Sequence, residues 1–261
     1  MISVVVCGAG GKMGQEVMRA VLQDETLQLV GAVDISRAGE RVSDIINVSC
    51  DLVVQSDLAT VISDARPDVV VDFTTPQAVY QNACTVLKAG AFSVIGTTGL
   101  GAEEREALDA LARQNGVAVL VAPNFSLGAV LMMQAAAQIA RYLPETEIIE
   151  LHHNHKYDAP SGTAKLTAEK INQARRQAPE PDRTRESIPG ARGAEWEDVR
   201  IHSVRLPGYV AHQEILFGGS GEILTIRHDS LTRTSFMPGV LLACKHIQEK
   251  RGLVYGLEHF L

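Results

Sequence analysis

Val4-Val-Val-Cys-Gly8-Ala-Gly10-Gly11-Lys-Met-Gly14 joins an apolar run, a glycine-rich turn and the start of a helical pattern. A short apolar run ending in glycine reads as a buried strand entering a tight turn. Gly8 permits the turn. Gly10 and Gly11 let the backbone approach a pyrophosphate, which the free N–H groups at the helix start attract. Gly14 permits close packing of helix on strand. The spacing is G-x-x-G-x-x-G through Gly8, Gly11 and Gly14, not the strict dinucleotide fingerprint. Alone it also fits a glycine turn that holds no ligand. Its place after the first strand favours a ligand. So does Asp34, which ends the next apolar run and can accept hydrogen bonds from an adenosine ribose. Gly8, Gly10, Gly11, Lys12, Met13, Gly14 and Asp34 are therefore candidate cofactor-binding residues. Lys12 and Arg37 read equally as phosphate contacts or as solvated surface cations.

Outward from this turn, strands and helices alternate. Strand patterns at 3–7, 27–33, 69–73, 92–95 and 117–121 are interleaved with helical spacing at 13–21, 77–87 and 103–113. Repeated short apolar strands between helices imply a parallel sheet covered on both faces. The pattern changes after Pro123. A helix is expected over 127–142, a strand over 147–153 and a helix over 163–176. A loop rich in Pro, Arg, Glu and Gly follows over 178–197. Strands at 199–206, 212–217 and 222–227 come without helices between them, which suggests antiparallel pairing, and a helix over 236–248 closes the chain. The expected fold class is α/β: a Rossmann-like dinucleotide domain plus an α+β domain with a mixed sheet.

Composition narrows the possibilities. The chain has 261 residues, 46% hydrophobic and 21% charged, enough for a sizeable core. No apolar run approaches the roughly 18 residues of a membrane span, and no secretory leader pattern opens the chain. Cys7, Cys50, Cys84 and Cys244 form no C-x-x-C pair and read as buried free thiols of a reducing compartment, so a cytosolic location is expected. A net charge of −7 argues against nucleic acid as the main partner. It also requires a local basic pocket for any anionic substrate.

The chemistry concentrates in Glu150-Leu-His152-His153-Asn-His155-Lys156-Tyr-Asp158-Ala-Pro-Ser161-Gly162-Thr163-Ala164. Lys156 supplies a fixed cation. Ser161, Gly162 and Thr163 open a helix after a proline, where N–H groups and hydroxyls attract an anion. A histidine beside them can deliver a proton near neutral pH. Plainer readings compete: Ser161 as a simple helix cap, and the histidines as structural residues. Adjacent histidines on a strand point apart, so no metal site is expected from this segment alone.

With Asp72-Phe73-Thr74-x-Pro76, Gly96-Thr97-Thr98-Gly99, Ala122-Pro-Asn124-Phe125-Ser126 and Val204-Arg-Leu-Pro-Gly-x-Val-Ala-His212-Gln-Glu in the same order, the chain resembles the dihydrodipicolinate (4-hydroxy-tetrahydrodipicolinate) reductase family over about residues 2–250. The resemblance implies a dinucleotide domain at 1–123 and 233–261. It also implies a substrate-binding and oligomerisation domain at 124–232, forming a homotetramer. Phe73, Thr74, Gly96, Thr97 and Thr98 are implied to lie along the nicotinamide and its ribose. Ala122, Asn124, Phe125 and Arg233 would complete the cofactor pocket. His152 is implied as proton donor, with His153, Lys156, Ser161, Gly162 and Thr163 holding the substrate, so His152 and Lys156 are the candidate catalytic pair.

The expected reaction is hydride transfer from NADH or NADPH to a cyclic, unsaturated dicarboxylate in lysine and diaminopimelate biosynthesis, with domain closure excluding water. Two other readings share the glycine turn. One is a two-domain aspartate or homoserine dehydrogenase, in which the 152–163 segment is not expected. The other is a non-catalytic dinucleotide sensor, which has little need of His152 and Lys156 together. Binding of pyridine-2,6-dicarboxylate separates the three.

Overall fold

Valine-rich strands joined through helices pair in parallel to make the first sheet, as a computed structural model of residues 1–261 shows. The strands are β1 (Ile2–Cys7), β2 (Leu27–Val33), β3 (Val69–Asp72), β4 (Phe92–Ile95), β5 (Ala118–Val121) and β11 (Gly252–Tyr255), in the order β11-β5-β4-β3-β1-β2. Val4, Val5, Val6, Val69 and Val71 are wholly buried, as strands covered on both faces must be. Helix α1 (Lys12–Gln23) buries Gly14, Val17, Met18 and Val21, one stripe at helical spacing. Helices α4 (Val79–Lys88), α5 (Ala102–Gln114) and α8 (Met237–His246) pack in the same unit. It comprises Met1–Phe125 and Phe236–Leu261.

Three elements of this unit lie outside the sequence expectation. Helix α2 (Val42–Ile46) is a single short turn closed by Asn47 in the left-handed region. Helix α3 (Leu58–Ala65) is capped by Asp57, whose carboxylate accepts from the Thr60 N–H at 2.6 Å. Strand β11 sits at the sheet edge beyond the expected closing helix and pairs with β5 from Gly252 to Tyr255.

The second unit, Ser126–Ser235, holds α6 (Leu127–Ile139), β6 (Glu145–His152), α7 (Gly162–Ala174), β7 (Ala194–Trp196), β8 (Val199–Arg205), β9 (Ala211–Gly219) and β10 (Glu222–Ser230). Its sheet runs β10-β9-β6-β8-β7. Antiparallel pairing of successive strands holds for β9 and β10 but not for β8 and β9. Strand β6 lies between that pair, parallel to β8 and antiparallel to β9. The reason is burial: β6 alternates buried and half-buried residues, with Ile148 and Glu150 inaccessible, and so takes the centre. Strand β7 lies inside the segment expected to be loop, pairing Ala194–Trp196 with β8.

Helices α6 and α7 cover the face carrying Ile148, Ile201, Ile215 and Phe217. Edge strand β10 leaves Ile223 78% and Leu224 39% exposed. Cys7, Cys84 and Cys244 are buried thiols, whereas Cys50 is only half-buried, in an irregular segment after α2. No helix is long and apolar enough to cross a membrane.

Candidate active site

Parallel register places the carboxyl ends of all six strands of the first sheet in one row: Val33, Cys7, Asp72, Ile95, Val121 and Tyr255. The residues one step beyond are Asp34, Gly8, Phe73, Gly96, Ala122 and Gly256. Five of these six were singled out from sequence as cofactor residues or as part of their motifs. The chain leaves β1 for β2 on one side and returns to β3 on the other. Gly8 and Phe73 therefore flank the switch point, where open α/β sheets bind ligands.

The turn itself is tight. Gly8 has φ +77°, and a Cβ there would lie 2.4 Å from the Phe73 carbonyl oxygen. A Cβ on Gly14 would lie 2.1 Å from the Gly8 carbonyl oxygen. The first intrahelical bond of α1 runs from Gln15 N–H to the Gly11 carbonyl. The N–H groups of Lys12, Met13 and Gly14 thus precede any helical acceptor. No side chain caps this end and no acid stands in its first turn, so its positive end suits a pyrophosphate. Asp34 lies beside it. One carboxylate oxygen accepts from the Gly10 N–H at 2.9 Å, the other from the Ser36 N–H and hydroxyl. Burial pushes the Asp34 carboxyl up, but these bonds outweigh it and hold it below its ordinary value. Arg37 is exposed and paired with Glu40 at 2.9 Å.

The next stretch of the edge is organised by a residue outside the candidate set. Asp72 is buried and accepts from Thr74 N–H, Thr74 Oγ1, Thr97 Oγ1 and Asn82 Nδ2 at 2.7–2.9 Å. It thereby ties Thr74 to Thr97. A Cβ on Gly96 would fall 2.0 Å from the Phe73 ring, and Phe73 packs on Phe125 with centroids 5.7 Å apart. Thr97, Thr98, Ala122 and Tyr255 line a cavity of about 70 Å³. Asn124 is half-buried between these segments in sequence.

In the second unit the histidine segment leaves β6 at His152 and turns. The Lys156 N–H bonds the His153 carbonyl at 3.2 Å, and Lys156 Nζ pairs with Asp158 at 2.7 Å. Burial first, then His152, His155, Lys156 and Arg233, push the His153 imidazole below its ordinary value. Two fixed cations, Lys156 and Arg233, thus act on His153 in a net-acidic chain. Ser161 is the N-cap of α7, its hydroxyl accepting from the Ala164 N–H at 3.2 Å. The space at Gly162 is open: a Cβ there would meet nothing within 4 Å. Thr163 is half-buried in the first turn. Arg233 is exposed and opens a short 3-10 turn, Arg233–Phe236.

Behind His152 stand two residues that the sequence reading missed. Glu150 is inaccessible, accepts from His152 Nδ1 at 2.5 Å, and forms a two-pronged ion pair with Arg205 at 2.7 and 2.8 Å. The spacing held a signal for Glu150, since residues two apart on a strand share a face. Arg205 pairs in register with His152 across β6 and β8, which no local pattern reveals.

Comparison with known proteins agrees in both halves. The family model "Dihydrodipicolinate reductase, N-terminus" matches residues 2–125, and "Dihydrodipicolinate reductase, C-terminus" matches 128–261. The 4-hydroxy-tetrahydrodipicolinate reductase of Syntrophomonas wolfei is 53% identical over 99% of this chain and 98% of its own. That of Moorella thermoacetica is 48% identical over 100% and 98%. A dipicolinate-bound dihydrodipicolinate reductase from Paenisporosarcina sp. TG-14 superposes with a TM-score of 0.90 at 44% identity, covering 100% of both chains. An amine dehydrogenase from Mycobacterium smegmatis, at TM-score 0.71 and 15% identity, shares the fold alone.

Proposed function

This chain belongs to the dihydrodipicolinate reductase family, and on that premise we propose how its side chains carry out the NAD(P)H-dependent reduction of 4-hydroxy-tetrahydrodipicolinate to tetrahydrodipicolinate in lysine and diaminopimelate biosynthesis. The cofactor, NADH or NADPH, supplies the hydride when bound. The chain's own residues orient both rings, neutralise the substrate's charge and move a proton.

Gly8, Gly10, Gly11, Lys12, Met13 and Gly14 hold the pyrophosphate end, with Asp34 at the adenosine ribose. Phe73, Thr74, Gly96, Thr97, Thr98, Ala122, Asn124 and Phe125 line the nicotinamide end, and Arg233 is assigned to the cofactor with them. Asp72 keeps Thr74 and Thr97 in place. Lys156 and the first turn of α7, from Ser161 through Gly162 to Thr163, take the substrate's carboxylates, with His153 adding a donor. His152 delivers the proton. The observation that carries this assignment is the joining of a cationic cluster, an open helix start and a carboxylate-held histidine in one short segment of an otherwise acidic chain.

The two units, Met1–Phe125 with Phe236–Leu261 and Ser126–Ser235, serve as dinucleotide-binding and substrate-binding domains, two to three residues from the expected boundaries of 1–123 with 233–261 and 124–232. The exposed apolar residues on β10 support assembly of the second unit's sheet into a homotetramer. The enzyme works in the cytoplasm on a small-molecule dicarboxylate, without nucleic-acid or membrane partners. The test is NADH oxidation on adding freshly prepared hydroxy-tetrahydrodipicolinate, with pyridine-2,6-dicarboxylate as competitive inhibitor. Absence of turnover, or inhibition that added substrate does not relieve, refutes the assignment.

A further inference from the structure

A carboxylate with no solvent access is costly unless every lone pair is engaged. Glu150 meets that condition at the end of β6. One oxygen accepts from His152 Nδ1 at 2.5 Å and Arg205 Nη1 at 2.8 Å. The other accepts from Arg205 Nη2 at 2.7 Å and the Ser161 N–H at 3.2 Å. Arg205 is itself anchored, donating to the Val204 and Asp158 carbonyls at 2.8 Å. Glu150 and His152 share a face of β6, and Arg205 pairs in register with His152.

We propose that Glu150 is a positioning residue of the reduction: fixed by Arg205, its carboxylate holds the His152 ring with Nδ1 protonated and Nε2 left to pass the proton to substrate. The inference deepens the proposed function and rests on His152 being the proton donor. An ionised carboxylate only accepts, so the shared proton sits on Nδ1. Burial pushes the Glu150 carboxyl up, but the bonds from His152 and then Arg205 help bring it down to about 2, so it stays ionised at working pH. The arrangement follows the general rule that a catalytic imidazole is oriented through its second nitrogen.

Arg205 alone neutralises Glu150, so structure does not require the histidine bond. The same carboxylate reaches the N-cap of α7 through the Ser161 N–H, so one buried group sets both the proton donor and the anion-binding helix start.

The experiment combines Glu150→Gln, His152→Gln and the double variant in steady-state kinetics with 15N NMR of His152 in the wild-type protein above its titration range. A glutamine keeps the shape but offers one acceptor in place of two. Satisfying Arg205 then turns an N–H toward Nδ1 and favours the other tautomer. Glu150→Gln should lower kcat roughly 10²–10⁴-fold with KM changed little. The double variant should be no slower than His152→Gln alone. NMR should show the proton on Nδ1. A Glu150→Gln loss below about 3-fold, losses that multiply in the double variant, or a proton on Nε2 each overturns the positioning role. Should Glu150→Gln fail to fold, the tautomer measurement decides by itself. Near-normal kcat in His152→Gln instead overturns the proton-donor reading, a separate failure.

Discussion

Replacing Gly14 by alanine sets a favourable local term against an unfavourable packing term, and the structure decides between them. Gly14 lies in the first turn of α1, where alanine is better than glycine by about 1 kcal/mol in helix propensity. Against this, the new Cβ would sit 2.1 Å from the Gly8 oxygen, 2.8 Å from the Gly8 carbonyl carbon and 2.9 Å from Ala9 Cα. The closest of these falls about 0.9 Å short of the 3.0 Å that real Cβ contacts respect. All three are backbone atoms, so no side chain can swing aside. Gly8 cannot easily retreat. Its N–H bonds the Val33 carbonyl at 2.9 Å, its carbonyl accepts from Gly11 at 3.0 Å, and its own Cα faces the Phe73 carbonyl. Overpacking of this kind costs about 1–3 kcal/mol or more. The net expectation is destabilisation of about 1–2 kcal/mol, a fall of several degrees in Tm. The larger effect is on binding. Moving the turn's N–H groups by nearly 1 Å should weaken NADH roughly 10²-fold, read by fluorescence titration. Gly101→Ala is the control, since its Cβ would meet only Glu104 Oε2 at 3.7 Å. If Gly14→Ala binds NADH within twofold of wild type and melts no lower, α1 does not approach the turn as described.

Lys156→Ala should weaken pyridine-2,6-dicarboxylate by about 2–5 kcal/mol while NADH affinity stays nearly constant, measured by calorimetry; intact dicarboxylate binding moves the anion site elsewhere. Asp34 at the ribose favours a free 2′-hydroxyl while Lys12 and Arg37 offset its repulsion of a 2′-phosphate, so both cofactors should serve, with NADH at least as good as NADPH in kcat/KM; a strong NADPH preference contradicts that placement. Light scattering at micromolar concentration should give a tetramer mass, and a monomer mass refutes assembly through the second sheet. Lys245 pairs with Asp24 at 2.6 Å and, with Thr26, holds its carboxyl down at about 2. A folded-state value below the ordinary 3.8 means the stabilisation is complete above about pH 4 and lost as pH falls through 2. Lys245→Met should therefore cost about 1 kcal/mol in urea unfolding at pH 7, after allowing for solvent screening, and almost nothing at pH 2. An equal cost at both pH values would assign the effect to packing.

Legibility followed burial. Strands β1, β3, β4 and β5 are apolar because both faces are covered, and residues 4–6, 69–71, 94–95 and 118–121 announce this without any knowledge of partners. Strand β11 does not. Gly252-Leu-Val-Tyr255 is four residues at an edge, and only its register with β5 makes it a strand. Helix α3 was legible in principle, since Asp57 precedes Leu58, Val61 and Ile62 at helical spacing with an N-cap bond to Thr60. Helix α2 was not, being one turn of five residues. Strand β8 misled for a different reason. Nothing in residues 199–205 says that a strand about fifty residues earlier will separate it from β9. Order within a sheet is decided by which strand has the most to bury.

The same division runs through the site. Groups that the proposed assignment has acting on their own surroundings, such as the glycines, Lys156 and Ser161, stand out in the sequence because short-range rules govern them. Groups that act through a partner were hidden. Arg205 reads as one more surface cation until its register with His152 is known, and Glu150 then absorbs its charge. Counting cations along the chain therefore overstates what a substrate would meet. On the proposed assignment, with Arg205 committed, the dicarboxylate is left with Lys156, His153 and the start of α7. Lys156 is held meanwhile by Asp158, which is 60% exposed. An ion pair in that setting is worth about 0–1 kcal/mol. A substrate carboxylate delivered beside the helix start displaces it at little cost, whereas displacing Glu150 from Arg205 would strand a buried charge. The inner pair is built to stay and the outer one to exchange. That is why removing Lys156 should show in ligand affinity, and removing the Glu150 charge in turnover.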